Sequence, residues 1–276
     1  MFQDDVAAIC RAGEKKLEFM MRSPAGYFLI SALAGVYLGF GITLIFSLGG
    51  PLAAGGGAAV LKLVMGMSFG IALSLVVFAG SELFTGNNMV FAVASLNGTS
   101  RRGPVLASFV LCFLGNLAGS FFLAFLVVQS GCLSPESREL LLKVAAAKMA
   151  LAPKEAFLRG ILCNWLVCLA IWVGFRMQNE SAKLIMIFWC LFAFIASGFE
   201  HSIANQALLG MALILPHGPD ISLGGFVHNQ VYVTLGNMVG GGGLVGTLYW
   251  LAGRPAPLST SDEPEAGFQP AALQES

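Results

Sequence analysis

The sequence predicts an all-α integral membrane fold: six transmembrane helices in two inverted three-helix repeats, two of the helices broken, behind an N-terminal amphipathic helix. Three observations carry that expectation. Only 11% of the 276 residues are charged against 57% hydrophobic, with a mean hydropathy of +0.79, where soluble domains carry about 25% charged residues. Runs without Asp, Glu, Lys or Arg cover Ser23–Leu61, Leu63–Ser81, Leu83–Ser100, Gly103–Pro135 and Ile221–Gly253, and a spanning helix needs roughly 20 apolar residues. Finally, two over-long apolar stretches are interrupted by the same polar pattern.

Along the chain, Phe2, Val6, Ile9, Gly13, Leu17 and Met20 recur at steps of three and four, with Asp4, Asp5, Arg11, Glu14, Lys15 and Glu18 between them. This spacing predicts an amphipathic helix, at the membrane surface or packed on the bundle; neither placement gives it any chemistry. The start "MFQDDVAAICRAGEKK" has no apolar core or small-residue cleavage site, so it is not expected to be a signal peptide. Spans are predicted over about 27–48, 60–96, 104–129, 154–176, 182–215 and 226–251. Glycine-rich "LGGPLAAGGGAA" and the segment from Ser130 to about 153 are predicted as loops, and the polar, Pro-containing tail as disordered.

Six crossings place both termini on one side. Nine of the fifteen basic residues (Arg11, Lys15, Lys16, Arg22, Arg101, Arg102, Arg176, Lys183, Arg254) fall on that side, which is therefore expected to be cytoplasmic. The zero net charge gives no reason to expect a nucleic-acid partner. The six cysteines form no CxxC pair and four lie in apolar runs, so no disulfide framework is expected.

Val60–Leu96 and Ala182–Leu215 run 37 and 34 residues, far beyond one crossing. Each is interrupted, by "GSELFTGN" at Gly80–Asn87 and "GFEHSIAN" at Gly198–Asn205, and both read G-x-E-x-x-x-x-N. A second shared element follows each, "GNLAG" at Gly115–Gly119 and "GNMVG" at Gly236–Gly240, at offsets of 118 and 121 residues. A copy with three crossings must insert upside down relative to the first. Paired interrupted helices in an inverted repeat point to a transport site near the bilayer midplane, because irregular backbone survives there only when buried or lining a wet cavity. The GxxxG pairs, including Gly35/Gly39, read as close helix packing.

The repeated Glu82 and Glu200, with Asn87 and Asn205, are expected to serve as scaffold, accepting or satisfying backbone groups freed at each break. His201 differs: it aligns with Leu83 and has no counterpart in the first copy. A lone buried histidine is usually a neutral core residue, yet ionisable groups inside a membrane mark pathways, and imidazole suits proton exchange with a weak acid. His217 and His228 are expected at an interface. No HExxH motif, zinc-spaced Cys/His cluster or P-loop occurs, so neither metal nor cofactor is expected. Phe69, Leu73, Leu83, Phe84 and Phe194 read equally as core packing or as apolar constrictions.

At these residues the chain resembles the formate/nitrite transporter family, and most closely its nitrite channel branch. The likeness covers roughly residues 1–252 and rests on "GSELFTG", "GNLAGS", "CNWLVCLAIW", "FIASGFEHSIAN" and "TLGN". It implies a homopentamer of aquaporin-like protomers, each with its own pore, multi-pass in the bacterial cytoplasmic (inner) membrane. It implies that Thr85 faces His201, with Asn164 nearby, and that Phe69, Leu73, Leu83, Phe84, Val167 and Phe194 line the constrictions. It also marks Lys148 as a basic vestibule residue, which composition alone would leave as a loop charge. The implied cargo is a small monovalent anion of a weak acid (nitrite, formate or hydrosulfide) moving with protons, without enzyme activity. Residues 1–24 are then the amphipathic helix, 25–252 the channel domain with repeats at about 25–130 and 150–252, and 253–276 the tail. Asn87 and Gln206 depart from the usual nitrite-branch residues. A water- or glycerol-type pore would need paired NPA-like motifs, and none is present. A membrane enzyme would need a nucleophile or metal set beside Glu200 and His201, and neither is there.

Overall fold

The computed structural model describes residues 2–253; the tail expected to be disordered lies, from 254 onward, outside the described residues. Among the described residues every regular element is helical. Helix α1 (Gln3–Arg22) buries Val6, Ile9, Cys10, Gly13, Leu17 and Met20. That stripe packs chiefly on α5 (Phe84–Leu96), where a Cβ at Gly13 would stand 3.1 Å from the Ala94 methyl. The helix is thus docked on the bundle.

Four helical stretches among the described residues are long and apolar enough to cross a membrane. They are α2 (Pro24–Ala54), α3 (Ala58–Ser68) taken together with α4 (Gly70–Phe78), α6 (Arg102–Ser130) and α8 (Pro153–Arg176). Shorter α9 (Glu180–Ala196), α10 (Ser202–Ile214) and α11 (Leu223–Met238) complete the bundle, the last continuing through a π-helical stretch, Val239–Gly246, into α12 (Thr247–Ala252).

Two expected loops are helical instead. "LGGPLAA" belongs to α2, which carries Pro51 within it, and only Gly55–Gly57 breaks the chain before α3. A close approach accompanies it: a Cβ at Gly50 would fall on the backbone of Ser137, so this glycine admits the first turn of the helix Pro135–Met149. Helix α7 itself (Pro135–Met149) occupies most of the expected 130–153 loop. Ser134 caps it by accepting the Ser137 N–H at 3.2 Å, and Pro135 supplies a first helical residue that needs no donor.

The GxxxG glycines join helices in pairs. Helix α2 packs on α6, where a Cβ at Gly35 or Gly119 would overlap the backbone of Asn116 or Ala32. Helix α8 packs in the same way on α11 and the π-helical stretch that follows it, with Gly236 and Gly240 against Phe157 and Ile161. Backbone approach at this distance is what small residues permit between helices in lipid.

Helix α4 ends at Phe78 and α5 starts at Phe84; α9 ends at Ala196 and α10 starts at Ser202. Gly80 and Gly198 stand at φ +78° and +73°, a left-handed conformation that turns the chain and that side chains with a Cβ resist. These two short non-helical links carry Glu82, Leu83, Glu200 and His201, and the helices that follow them hold Phe84, Thr85 and Asn87 in α5 and Asn205 in α10.

Candidate functional site

Each link is pinned by one asparagine. In the first, Asn116 of α6 accepts the Phe84 N–H at 3.0 Å and donates to the carbonyls of Ser31 (2.7 Å) and Glu82 (2.8 Å). In the second, Asn237 of α11 accepts the Ser202 N–H at 2.9 Å and donates to Gly160 (2.8 Å) and Glu200 (2.9 Å). Both asparagines are fully buried. They satisfy the orphan donors and acceptors that appear wherever a helix begins or ends away from water. In sequence, "GNLAG" and "GNMVG" read as a second shared element with close-packing glycines, and the asparagine repeated inside both is the signal for this pinning role.

The glutamates therefore have a different task from the one expected. Neither carboxylate accepts a backbone N–H. Glu82 accepts from Lys16 Nζ on both oxygens at 2.7 Å, and from Asn87 Nδ2 (3.0 Å) and Tyr27 (3.4 Å). Glu200 accepts from Lys148 Nζ at 2.6 Å and from Asn205 Nδ2 at 2.7 Å. Asn87 and Asn205 likewise serve the carboxylates rather than freed backbone. Buried charges persist when paired and hydrogen-bonded, and both cations come from helices whose chemistry was invisible in sequence. Lys16 lies on the amphipathic helix, 66 residues from its partner, and Lys148 sits in the last turn of α7 rather than in a loop.

Two vestibules approach one another at these links. The first, about 820 Å³, is lined by Lys16, Glu82, Leu83, Asn87, Glu180 and Lys183 among others. The second, about 550 Å³, is lined by residues including Lys148, Phe194, Glu200 and His201. Between them lies a chamber of about 10 Å³ bounded by Leu38, Phe69, Ala72, Leu73, Leu83, Val167, Leu191, Phe194 and His201. Leu83 is shared with the first vestibule, and Phe194 and His201 with the second. That volume holds one water at most. His201 is the only polar residue in its lining.

Phe69 and Phe194 meet edge to face at 5.7 Å, and Phe194 lies against the His201 ring at 5.9 Å. Phe84 does not reach the chamber. It begins α5 on the side facing α6, where its ring packs against Phe109 and Phe113 at 5.5 and 5.2 Å. Leu38, Ala72 and Leu191 take part in the lining without having been singled out, because nothing in an apolar run distinguishes a wall from a core.

His201 is held on both nitrogens. Nδ1 accepts the Ala204 N–H at 3.2 Å, making the imidazole the side-chain cap of α10, a service Leu83 cannot give α5. A neutral ring that accepts at Nδ1 carries its hydrogen on Nε2, which lies 3.0 Å from Thr85 Oγ1 and donates to it. The Thr85 carbonyl accepts from Asn164 Nδ2 at 3.1 Å, and Asn164 also donates to Asn237 O at 2.7 Å. Asn164 Oδ1 is buried without a partner among the described residues. Thr85, His201, Asn164 and Asn237 thus form one network across the two links. His217 is exposed on the loop before α11, and His228 on α11 contacts the Leu151 carbonyl at 2.9 Å. No group of three or more potential metal ligands occurs among the described residues.

Comparison with known proteins gives a consistent result. A family model described as "Formate/nitrite transporter" matches residues 3–251. The chain is 42% identical over 271 residues to the nitrite transporter NirC of Salmonella typhimurium, covering 96% of this chain and 98% of that protein. It is 42% identical over 264 residues to NirC of Escherichia coli, covering 95% and 97%. Among solved structures, an FNT family ion channel superposes with a TM-score of 0.85 at 41% identity, covering 90% of this chain and 98% of that one. A pentameric formate channel with formate bound gives 0.71 at 27% identity, covering 84% and 98%.

Proposed function

This chain belongs to the formate/nitrite transporter family, and on that premise we propose that it passes small monovalent anions of weak acids, nitrite foremost, across a bacterial inner membrane with the help of His201. The observation that carries the reading is His201, the one polar group lining an otherwise apolar chamber between two vestibules, hydrogen-bonded through Nε2 to the buried Thr85 hydroxyl. Nitrite is preferred because relatives 42% identical over almost their whole length are nitrite transporters.

The physics runs from the vestibules inward. Helices α5 and α10 both start beside the chamber, and helix N-termini favour negative charge. An anion can therefore approach, but moving it unpaired past Leu83, Phe69 and Phe194 is prohibitively costly in a low-dielectric wall. The Nε2–H of His201 saturates one lone pair of the Thr85 hydroxyl, leaving the hydroxyl hydrogen free to donate to the passing anion. For the species to cross as the neutral acid, a proton from vestibule water first adds at Nδ1 of His201, releasing the Ala204 N–H. The imidazolium then passes its Nε2 proton to the Thr85 hydroxyl as that hydroxyl gives its own to the anion, and the ring returns to neutral. The chamber has to widen for passage, because nitrite is larger than the water molecule that would fill it.

The finer architecture belongs to the same proposal. The links at 79–83 and 197–201 act as breaks in two spans of six, within inverted repeats. The matched bonding of Asn116 and Asn237 supports this, as does the pairing of Lys16–Glu82 with Lys148–Glu200. Both termini are placed in the cytoplasm, and a pentamer follows the formate channel neighbour. The decisive experiment is nitrite uptake into proteoliposomes across a pH series. His201→Phe and Thr85→Val are expected to abolish the pH-dependent component; wild-type rates from His201→Phe would overturn the mechanism. Running formate and hydrosulfide in parallel ranks the anions, and swelling in glycerol without anion flux would replace the reading with a neutral-solute pore.

A further inference from the structure

We infer that the second vestibule is a one-sided anion funnel in which Lys62 and Lys143 gather substrate at the mouth; the inference rests on the anion-transport reading above. The two vestibules differ in charge. The first holds Lys16 and Lys183 against Glu82 and Glu180, and each lysine is paired, at 2.7 and 2.9 Å. The second is lined by Lys62, Lys143, Lys148 and Arg159 with Glu200 as the only carboxylate.

Within that set the charges are not equivalent. Lys148 is committed to Glu200 at 2.6 Å, and Arg159 meets Glu155, itself outside the lining, across 3.5 Å at the surface. Lys62 and Lys143 are exposed and have no hydrogen bond or ion pair among the described residues. Even Glu139, one helical turn before Lys143 on α7, forms no ion pair with it. The pair sits on two different helices, α3 and α7, both contributing to the same cavity.

The location makes the excess informative. On the topology proposed above, this vestibule faces away from the cytoplasm, the side on which membrane proteins otherwise concentrate Lys and Arg. Of the six basic residues outside the nine assigned to the cytoplasmic face, four line this one cavity. Unpaired cations around a concave, low-dielectric wall focus field lines and raise local anion concentration, speeding capture by about 10- to 1,000-fold in strong cases. Because Lys62 and Lys143 touch water, their effect must be screened by salt. The consequence is directional: anions entering through the second vestibule are captured faster at low ionic strength, while entry through the first depends little on salt.

The test uses right-side-out and inside-out vesicles carrying the full-length protein, with sub-saturating nitrite and potassium gluconate as added salt. Raising ionic strength from about 0.01 M to about 1 M shortens the Debye length from roughly 30 to 3 Å. Initial nitrite entry through the second vestibule is expected to fall about tenfold, and entry through the first by less than about twofold. The Lys62→Gln/Lys143→Gln variant should lose the difference between faces while keeping the high-salt rate, and Lys62→Arg/Lys143→Arg should restore it. Equal salt dependence on both faces, or an unchanged difference in the Gln variant, overturns the funnel and leaves the transport reading standing. A wild type that moves no nitrite from either face overturns both.

Discussion

Replacing Asn237 with alanine removes three hydrogen bonds at once: to the Ser202 N–H and to the Gly160 and Glu200 carbonyls. In a soluble core, orphaning each group would cost about 1–3 kcal/mol, so the sum could approach roughly 9 kcal/mol. In a bilayer the unfolded reference also finds partners, and measured interhelical bonds average about 0.6 with a maximum of about 1.7 kcal/mol. The lower scale governs here, giving about 2–5 kcal/mol for three bonds, a large share of a total stability of about 5–15 kcal/mol. Asn116→Ala should cost a similar amount, because its three bonds have near-identical lengths of 3.0, 2.7 and 2.8 Å. Asn237→Asp should be at least as damaging as alanine, since it turns two donors into acceptors facing carbonyls. Unfolding of the purified protein in detergent, by SDS titration and by temperature, measures each loss. Losses below about 1 kcal/mol in both alanine variants would refute the assignment of these asparagines as the pins of the two links.

Two further outcomes follow from the ion pairs and the α7 cap. Glu200→Gln leaves the mostly buried Lys148 ammonium without a carboxylate and should destabilise by up to about 3–5 kcal/mol, whereas adding Lys148→Met should recover part of that loss; a double variant no more stable than the single would contradict the pairing. At the N-terminus of α7, a hydrogen bond from Ser134, then one from its own backbone, holds the Glu136 carboxyl below the usual carboxylate range. A depressed acid stabilises the fold above its ordinary range and loses that contribution as pH falls. With the intrinsic pH dependence of exchange divided out, protection of the amides at the start of α7 should therefore fall on acidification, and Ser134→Ala should both lower protection and flatten its pH dependence.

Sequence alone determined that the chain is a helical membrane protein: backbone in lipid is satisfied only in helices or closed barrels, and long unbroken apolar runs fit helices where barrel strands would alternate apolar with polar. It also showed a recurring pattern: Gly80 and Gly198 supply a left-handed turn at matched positions, and the glutamates and asparagines recur at fixed spacing behind them. The asymmetry of His201 against Leu83 was equally legible, since it is a difference between two segments that share the pattern G-x-E-x-x-x-x-N. Tertiary structure decided everything that depends on which helix a side chain meets. Glu82 and Glu200 looked unpaired because their lysines lie 66 and 52 residues away, on α1 and α7. Phe84 and Leu83 are adjacent and equally apolar, yet the extended backbone of Leu83 in the link sends its side chain to the chamber while Phe84, the first residue of α5, faces α6. Likewise Asn116 and Asn237 read as packing until the link carbonyls and N–H groups appeared beside them. Local pattern fixes which groups need partners; only the assembled bundle chooses the partners, because hydrogen bonds and ion pairs are made across space between segments that sequence spacing does not relate.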